Sequence, residues 1–216
     1  MIELNKIIHA DCMDIMKDIP DNYFELAIVD PPYGKMCDVD STGNRHSKNN
    51  GFSKLWLDEK DKKDKWNELP KDNYFKELFR ISVNQIIWGG NYFQLPISSC
   101  WLIWDKGQRD FTFADAELGW TSFKSAVRIF EFSRAKMMSE NKIHPTQKPV
   151  ALYKWLLKNY AKQGDKILDT HSGSGTTAMA CIDMGFDYLC IEKDKDYYEA
   201  SVKRIDKENI KLKLAI

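Results

Sequence analysis

The stretch Leu26-Ala27-Ile28-Val29-Asp30-Pro31-Pro32-Tyr33-Gly34 is an apolar run that ends in an acid, two prolines, an aromatic residue and a glycine. An apolar run of this length favours a buried strand. Pro31 and Pro32 have no backbone N–H to donate to a neighbouring strand, so the strand ends before them. Asp30 and Tyr33 are therefore predicted at the carboxyl end of a strand, the edge of an open α/β sheet where ligands bind.

The corner from Asp30 to Tyr33 has the chemical groups needed to hold an aromatic amine. The Asp30 carboxylate and a backbone carbonyl released from the sheet are neighbouring acceptors, and the amino group of a base has two N–H donors. Tyr33 offers a ring on which such a base can stack. The corner therefore suits a base taken out of the stack; the alternative is a strand-ending turn with a buried tyrosine.

The composition indicates a globular protein of one large domain, since the chain has 216 residues, of which 43% are apolar and 30% charged. No apolar run approaches the ~18 residues of a membrane span, and no N-terminal signal pattern is present. Five scattered cysteines without a C-x-x-C pair argue against disulfides and a metal site and favour the reducing cytoplasm. The net charge is zero, so a basic face for DNA has to be local.

Strand-like and helix-like patterns alternate along the chain. The apolar runs typical of strands are 2–9, 26–30, 85–88, 101–104, 126–132, 166–169 and 188–192. The runs with helical spacing are 12–19, 71–83, 149–160, 176–184 and 194–208, and Asp11 is placed to cap the first of them. This alternation predicts a doubly wound, mostly parallel α/β sheet with helices on both faces.

Residues 166–194 contain a second ligand-binding pattern. A strand ends at Asp169, and Ser172-Gly173-Ser174-Gly175-Thr176-Thr177 opens the following helix, whose free N–H groups a ligand can approach. Asp169 can pair with a cationic amino group, and Glu192, at the end of the next strand, can accept both hydroxyls of a ribose. Gly173-x-Gly175-x-x-Ala178 also fits a nicotinamide-dependent oxidoreductase, but that alternative gives no role to the Asp30 corner.

These motifs resemble the beta class of DNA amino-methyltransferases. Asp30-Pro-Pro-Tyr33 is similar to their catalytic tetrapeptide, and Asp169 to Thr177 is similar to their S-adenosylmethionine loop. The segment 144–149, His-Pro-Thr-Gln-Lys-Pro, resembles the one that precedes this loop in that class. The tetrapeptide comes first and the loop last, as in the class, so the resemblance implies a Rossmann-like fold with permuted motif order, in which strand 2–9 resumes the sheet beside the last strand.

The resemblance implies methyl transfer from S-adenosylmethionine to N6 of adenine in DNA. Asp30 and the carbonyl of Pro31 would accept the amino protons, next to Pro32, and Tyr33 would stack on the flipped base. The family tends to have Asp in the tetrapeptide for adenine and Ser for cytosine, so N4 of cytosine is the runner-up. The residues it implies for the cofactor are Asp11, His144, Lys148, Asp169, Ser172, Gly173, Ser174, Gly175, Thr176, Thr177 and Glu192; no metal is implied.

Two segments lie outside these motifs, within a predicted single domain 1–216. Segment 35–70 is predicted as a lid or DNA-contact loop, and segment 106–142 as a smaller DNA-contact region. Neutral residues in place of Lys60, Lys62, Lys63 and Lys65 are expected to reduce the salt dependence of DNA binding. A catalytically silent DNA- or cofactor-binding module is an alternative that the intact Asp30-Pro-Pro-Tyr33 motif disfavours. The sequence does not determine the oligomeric state, so a homodimer is possible.

The cofactor loop departs from the family at one place. Members often have Pro-Phe where this chain has Thr170-His171, which puts the local packing in doubt but leaves both glycines intact. His144 and His171 are alternative acid–base candidates.

Overall fold

A computed structural model describes residues 2–34, 69–70, 72–109, 114–133, 143–144 and 146–214. Most of the predicted lid 35–70, with Lys60, Lys62, Lys63 and Lys65, and part of the predicted segment 106–142 lie outside the described residues. Among those that are described, no helix is long and apolar enough to cross a membrane.

Strands and helices alternate as the sequence predicted. The strands are β1 (Lys6–His9), β2 (Phe24–Val29), β3 (Ser82–Trp88), β4 (Trp101–Asp105), β5 (Ala116–Thr121), β6 (Arg128–Glu131), β7 (Lys166–Asp169) and β8 (Asp187–Glu192). The α-helices are α1 (Cys12–Met16), α2 (Asp72–Ile81), α3 (Val150–Tyr160), α4 (Thr176–Met184) and α5 (Lys195–Leu214), and a 3₁₀ helix covers Gly90–Tyr92.

The described strands form one eight-stranded sheet in the order β1-β8-β7-β2-β3-β5-β4-β6. All neighbouring pairs are parallel except the two that involve β5, which runs antiparallel to β3 and β4. The N-terminal strand β1 pairs with the last strand β8, as the permuted motif order predicted. The predicted α/β class with a mostly parallel sheet is therefore confirmed.

Apolar residues cover both faces of the sheet, because successive strand residues point to opposite sides. Leu26 and Ile28 of β2 pack with α3, α4 and α5, whereas Ala27 and Val29 pack with α1 and α2. All four of these side chains are fully buried. The sheet is thus a central layer between two helical layers, and its carboxyl edge is left for ligands.

The direction of the crossovers reverses between β7 and β2. From β7 the chain crosses through α4 to β8 on one side, and from β2 it crosses through α2 to β3 on the other side. The two strands are parallel neighbours, with Leu26 opposite Ile167 and Ala27 opposite Leu168. Such a reversal opens a crevice at the carboxyl ends of the strands, and both predicted motifs lie there.

Several boundaries differ from the prediction. The helix predicted at 12–19 ends at Met16, the one predicted at 71–83 passes directly into β3 at Ser82, and the last helix continues to Leu214. Strand β5 was not predicted. Its sequence, Ala-Glu-Leu-Gly-Trp-Thr, contains an acid and a glycine, and its pairing with β3 and β4 is a tertiary contact that a local pattern does not report.

Candidate active site

The Asp30 corner lies directly beyond the end of β2. The ladder between β2 and β3 ends with Val29 opposite Ile87, so the next residues are released from the sheet. The Tyr33 hydroxyl donates a hydrogen bond to Asp30 Oδ1, which ties the two ends of the Asp-Pro-Pro-Tyr turn together. Burial, and then the Asp30 carboxylate, hold the pKa of Tyr33 well above its ordinary value, so the phenol remains a donor.

Lys148 lies in the same corner. Its ammonium donates to Asp30 Oδ2 and lies 3.4 Å from the Tyr33 hydroxyl oxygen. The three side chains therefore form a closed ring, in which Lys148 contacts Asp30 and Tyr33, and Tyr33 contacts Asp30. Only 3% of the Lys148 side chain is exposed, against 17% for Asp30.

Glu117 of β5 connects this ring to the neighbouring strands. Its Oε2 lies 3.1 Å from Lys148 Nζ, and its Oε1 lies 2.7 Å from Lys106 Nζ. Burial acts to raise the pKa of Glu117, but Lys148 and Lys106 outweigh it and hold the pKa at about 2. Four charged side chains of alternating sign thus run from Lys106 to Asp30.

The Tyr33 ring has two close aromatic neighbours. It stacks on Tyr92 with 5.1 Å between ring centroids and 20° between the planes, and it meets the edge of Phe93 at 6.2 Å. Gly89 passes beneath it with φ +67°, and a Cβ at that position would overlap the ring. The Gly-Gly turn after β3 therefore determines where Tyr33 lies.

The acid at the end of β7 is the most buried carboxylate of the predicted cofactor edge. Asp169 is 2% exposed, and it accepts hydrogen bonds from the Thr177 hydroxyl and, at 3.0 Å, from the backbone N–H of His171. Burial raises its pKa to about 7, and the charges of Asp30 and Glu192 act in the same direction. A buried acid of this kind is suited to a cationic partner.

Glu192 closes the glycine loop from the end of β8. Its carboxylate accepts from the backbone N–H of Gly173 at 2.6 Å and from that of Asp194 at 2.8 Å. Asp11 follows β1, the strand beside β8, where it caps α1 through the N–H of Met13 at 3.0 Å. Glu192 and Asp11, both among the predicted cofactor residues, therefore lie at the carboxyl ends of adjacent strands.

The loop itself is held by groups on both sides. Gly175 has φ +73°, and a Cβ there would lie 3.2 Å from Ser201 Cβ. Ser174 Oγ and Thr176 Oγ1 are 2.9 Å apart, and the Thr176 hydroxyl lies 3.3 Å from the backbone oxygen of Lys148. Arg204 of α5 donates to the Ser174 carbonyl at 3.0 Å, a support that the sequence did not reveal.

The two histidines near the loop have different surroundings. The His144 ring packs against Tyr197 at 4.2 Å and lies 3.6 Å from where a Cβ on Gly173 would be. His171 is in hydrogen-bond contact with Thr170 Oγ1 at 3.0 Å, and burial lowers its pKa to about 4. His171 is therefore neutral at physiological pH.

The predicted residues thus form two groups on adjacent strands. The first group is the corner after β2, formed by Asp30, Pro31, Pro32 and Tyr33. The second group is the cofactor loop with the acids beside it: Asp169, Ser172, Gly173, Ser174, Gly175, Thr176, Thr177 and Glu192. His144 packs against this loop, and Asp11 follows β1, the strand next to β8. Lys148, predicted with the cofactor residues, has its ammonium in the first group. Glu117 and Tyr92 were missed, because only the fold brings them to Asp30 and Tyr33.

The sequence profile of the N6/N4 DNA methylases matches residues 44–203 of the chain. The chain belongs to this DNA methylase family. The matched range contains the cofactor loop and begins after the Asp30 corner. The predicted resemblance is confirmed, and the oxidoreductase alternative is excluded by the family.

Two curated relatives of this methylase are type II methyltransferases. M.HpaI of Haemophilus parainfluenzae is 26% identical, in an alignment that covers 94% of the chain and 74% of the relative. M.HinfI of Haemophilus influenzae is 25% identical, with 94% of the chain and 68% of the relative covered. Both alignments therefore extend over nearly the whole methylase chain.

Solved methyltransferase structures share the fold. The M1.HpyAVI–SAM complex superposes with a TM-score of 0.54 at 21% identity, covering 92% of this chain and 98% of that one. TTHA0409 of Thermus thermophilus with S-adenosyl-L-methionine gives 0.56 at 15% identity, covering 94% and 95%. PvuII DNA methyltransferase (cytosine-N4-specific) gives 0.59 at 12%, covering 91% and 84%. The family uses S-adenosylmethionine, as the resemblance implied.

Proposed function

We propose that this methylase transfers a methyl group from S-adenosylmethionine to N6 of adenine in DNA. The observation that carries the proposal is the position of Asp30, an acceptor released from the sheet at the end of β2, beside the cofactor edge at the end of β7. The amino group of a flipped adenine would donate one N–H to Asp30 and the other to the carbonyl of Pro31. The amino nitrogen is then the nucleophile, so no covalent enzyme intermediate is needed.

The residues at the cofactor edge fit S-adenosylmethionine. Within the described part of the chain, Asp169 is a buried carboxylate without a cation among its hydrogen-bond partners, which are the Thr177 hydroxyl and the His171 N–H. It therefore suits the positively charged methionine part of the cofactor. Glu192 presents acceptors for the ribose hydroxyls, and the glycine loop leaves room for close approach. When bound, the cofactor supplies a methyl group on a sulfonium, an activated donor.

The role of the protein in this reaction is to hold and orient the target base. Tyr33 is fixed between the Gly89 turn and Tyr92, so its stacking face is set before DNA binds. Tyr92 covers one face of the Tyr33 ring. A target base that stacks on this face displaces the Tyr92 ring from it. Holding the amine beside the donor replaces an encounter of two molecules by a reaction within one complex, which is a large part of the rate enhancement.

Nucleoside mass spectrometry of DNA incubated with the methylase and deuterated S-adenosylmethionine tests the proposal. Deuterated N6-methyladenine is the expected product. Deuterated N4-methylcytosine would keep the reaction class but change the base, because both amines present two N–H donors to the Asp30 corner. C5-methylcytosine, or no methylated base with DNA of mixed sequence, would contradict the proposed chemistry.

A further inference from the structure

The Asp30 carboxylate is held by a cation that the proposed reaction does not assign. Lys148 Nζ contacts Asp30 Oδ2, Glu117 Oε2 at 3.1 Å and the Tyr33 hydroxyl oxygen at 3.4 Å. An ammonium has three N–H donors and no acceptor, so these three oxygens match its full capacity. The side chain is 3% exposed, and all three partners are side-chain oxygens of the corner or of β5.

The closed ring fixes the plane of the carboxylate. Oδ1 accepts from Tyr33 and Oδ2 accepts from Lys148, so rotation of the carboxylate breaks both bonds. An ionised carboxylate has about four lone-pair sites, so two are left for a substrate N–H. Because both partners are donors, each Asp30 oxygen is a hydrogen-bond acceptor in this arrangement.

We propose that Lys148 is a positioning residue for the methyl-transfer reaction: it holds the Asp30 carboxylate in the orientation that faces the target amine, and Glu117 holds Lys148 in place. This inference rests on the proposed function, and it assigns to Lys148 a role at the target amine instead of the cofactor role that the motif implied. Glu117, which holds Lys148 in place, lies on β5, the strand between β3 and β4 in the sheet.

The charges around Lys148 agree with this role. Burial acts to lower its pKa, but Asp30 and Glu117 outweigh burial and raise it, so the ammonium is charged throughout the physiological range. The described groups that act electrostatically on Asp30, Tyr33 or Lys148 come from the Asp-Pro-Pro-Tyr turn, α2, β5, the residues at the start of α3, and β7. They are Tyr33, Tyr74, Glu117, Lys148, Tyr153 and Asp169. The tyrosines are kept neutral by burial, and Asp169 is unchanged in the variants that test this inference.

The test compares two variants. Lys148→Met removes the ammonium that contacts Asp30, and Glu117→Gln removes the carboxylate that contacts Lys148. Lys154→Met is the matched control, because Lys154 lies on α3, is 42% exposed and pairs with Asp183 away from the corner. Single-turnover methylation is measured against DNA concentration with saturating cofactor, which separates the maximal rate from the DNA concentration at half-maximal rate. The dissociation constant for S-adenosylmethionine is measured on the same variants.

We expect Lys148→Met to lower the rate on the order of 100-fold. The loss should fall on the maximal rate, with the DNA concentration at half-maximal rate within a few-fold of wild type, because Lys148 contacts Asp30 and Tyr33 in the corner. Glu117→Gln should also lower the maximal rate, because Lys148 loses one of its three acceptors. Cofactor affinity should stay within a few-fold in both variants, and Lys154→Met should coincide with wild type. A wild-type maximal rate in Lys148→Met, or lost cofactor affinity with a retained rate, overturns the inference.

A measurement without turnover separates this inference from the proposed function. Lys148→Met removes one of the two cations that hold the pKa of Glu117 at about 2. The difference in unfolding free energy from wild type should therefore be largest near neutral pH and shrink as pH falls and the Glu117 carboxylate of the variant is protonated. Urea unfolding from about pH 4 to about pH 8 measures this difference. If wild type methylates no DNA but the difference shrinks, the proposed function fails and the Lys148 contact stands. A stability difference that does not change with pH shows that Lys148 only fills space and overturns the inference.

Discussion

Asp30 directly follows β2 and Asp169 is the last residue of β7, its parallel neighbour, at the place in the described sheet where the crossovers change direction. Asp30 has Lys148 and Tyr33 as partners, whereas Asp169 has a hydroxyl and a backbone N–H. One acid is therefore compensated by a cation of the protein, and the other is left for a cation from outside. This difference supports the proposal that Asp30 accepts from the target amine and that Asp169 pairs with the cofactor.

Asp169 should make the free protein less stable as pH rises from about 4 to about 7. Its pKa is raised to about 7 in the folded protein, so the folded state holds a proton that the unfolded state has released in this window. By linkage, the stabilising contribution is complete below about pH 4 and is lost as pH passes 7, a change of about 4 kcal/mol.

His171 changes the free energy of unfolding in the opposite direction. Burial lowers its pKa to about 4, so its contribution to stability is lost as pH falls below about 6.5. Asp169→Asn isolates the aspartate. Urea unfolding of both proteins at about pH 5 and about pH 7.5 should show the variant gaining stability relative to wild type at the higher pH. If the difference in unfolding free energy between Asp169→Asn and wild type were the same at both pH values, the raised pKa of Asp169 would be contradicted.

Glu192→Ala should weaken S-adenosylmethionine binding. The carboxylate at the end of β8 fixes Gly173, and we propose that it also accepts from the ribose hydroxyls. Hydrogen bonds to a charged group contribute about 1.5–3 kcal/mol each. We expect a roughly 10- to 100-fold higher dissociation constant by calorimetry. Glu199→Ala, on the exposed side of α5, is the control and should leave it unchanged. Equal affinity of Glu192→Ala and wild type would remove the ribose role.

Gly89→Ala should disable the base-stacking corner. A Cβ at Gly89 overlaps the Tyr33 ring, in addition to the strain of φ +67°. Gly164→Ala carries the strain alone, since it has φ +93° and nothing within 4 Å of the added Cβ. We expect about 1 kcal/mol of destabilisation for Gly164→Ala and about 1–3 kcal/mol more for Gly89→Ala. Methylation should be lost only in Gly89→Ala; an active Gly89→Ala protein would show that the position of Tyr33 is not critical.

The sequence was sufficient for the elements around the crevice, because their signals are local. Pro31 and Pro32 end β2 through the lack of a backbone N–H, and Gly175 and Gly185 mark the two ends of α4 with positive φ. The pairing of β1 with β8 followed from the order of the motifs along the chain and from the family resemblance.

The charged ring around Asp30 could not be predicted in the same way. Lys148 is 118 positions from Asp30, and a lysine next to a helix is expected on the surface unless its partner is known. Glu117 lies on β5, whose sequence has only a weak strand pattern. Its pairing with β3 and β4 is a tertiary contact that the local sequence does not report. Both residues become meaningful only once the sheet brings β2, β5 and the start of α3 together.

The central claim is that the Asp30 corner performs the chemistry while a separate edge holds the cofactor. Asp30→Ala, assayed in a single turnover with DNA and with calorimetry for S-adenosylmethionine, tests it most directly. Methyl transfer should be abolished while the dissociation constant for the cofactor stays within a few-fold of wild type, since Asp30 lies on β2 and the loop follows β7. Methyl transfer at the wild-type rate by Asp30→Ala would contradict the account.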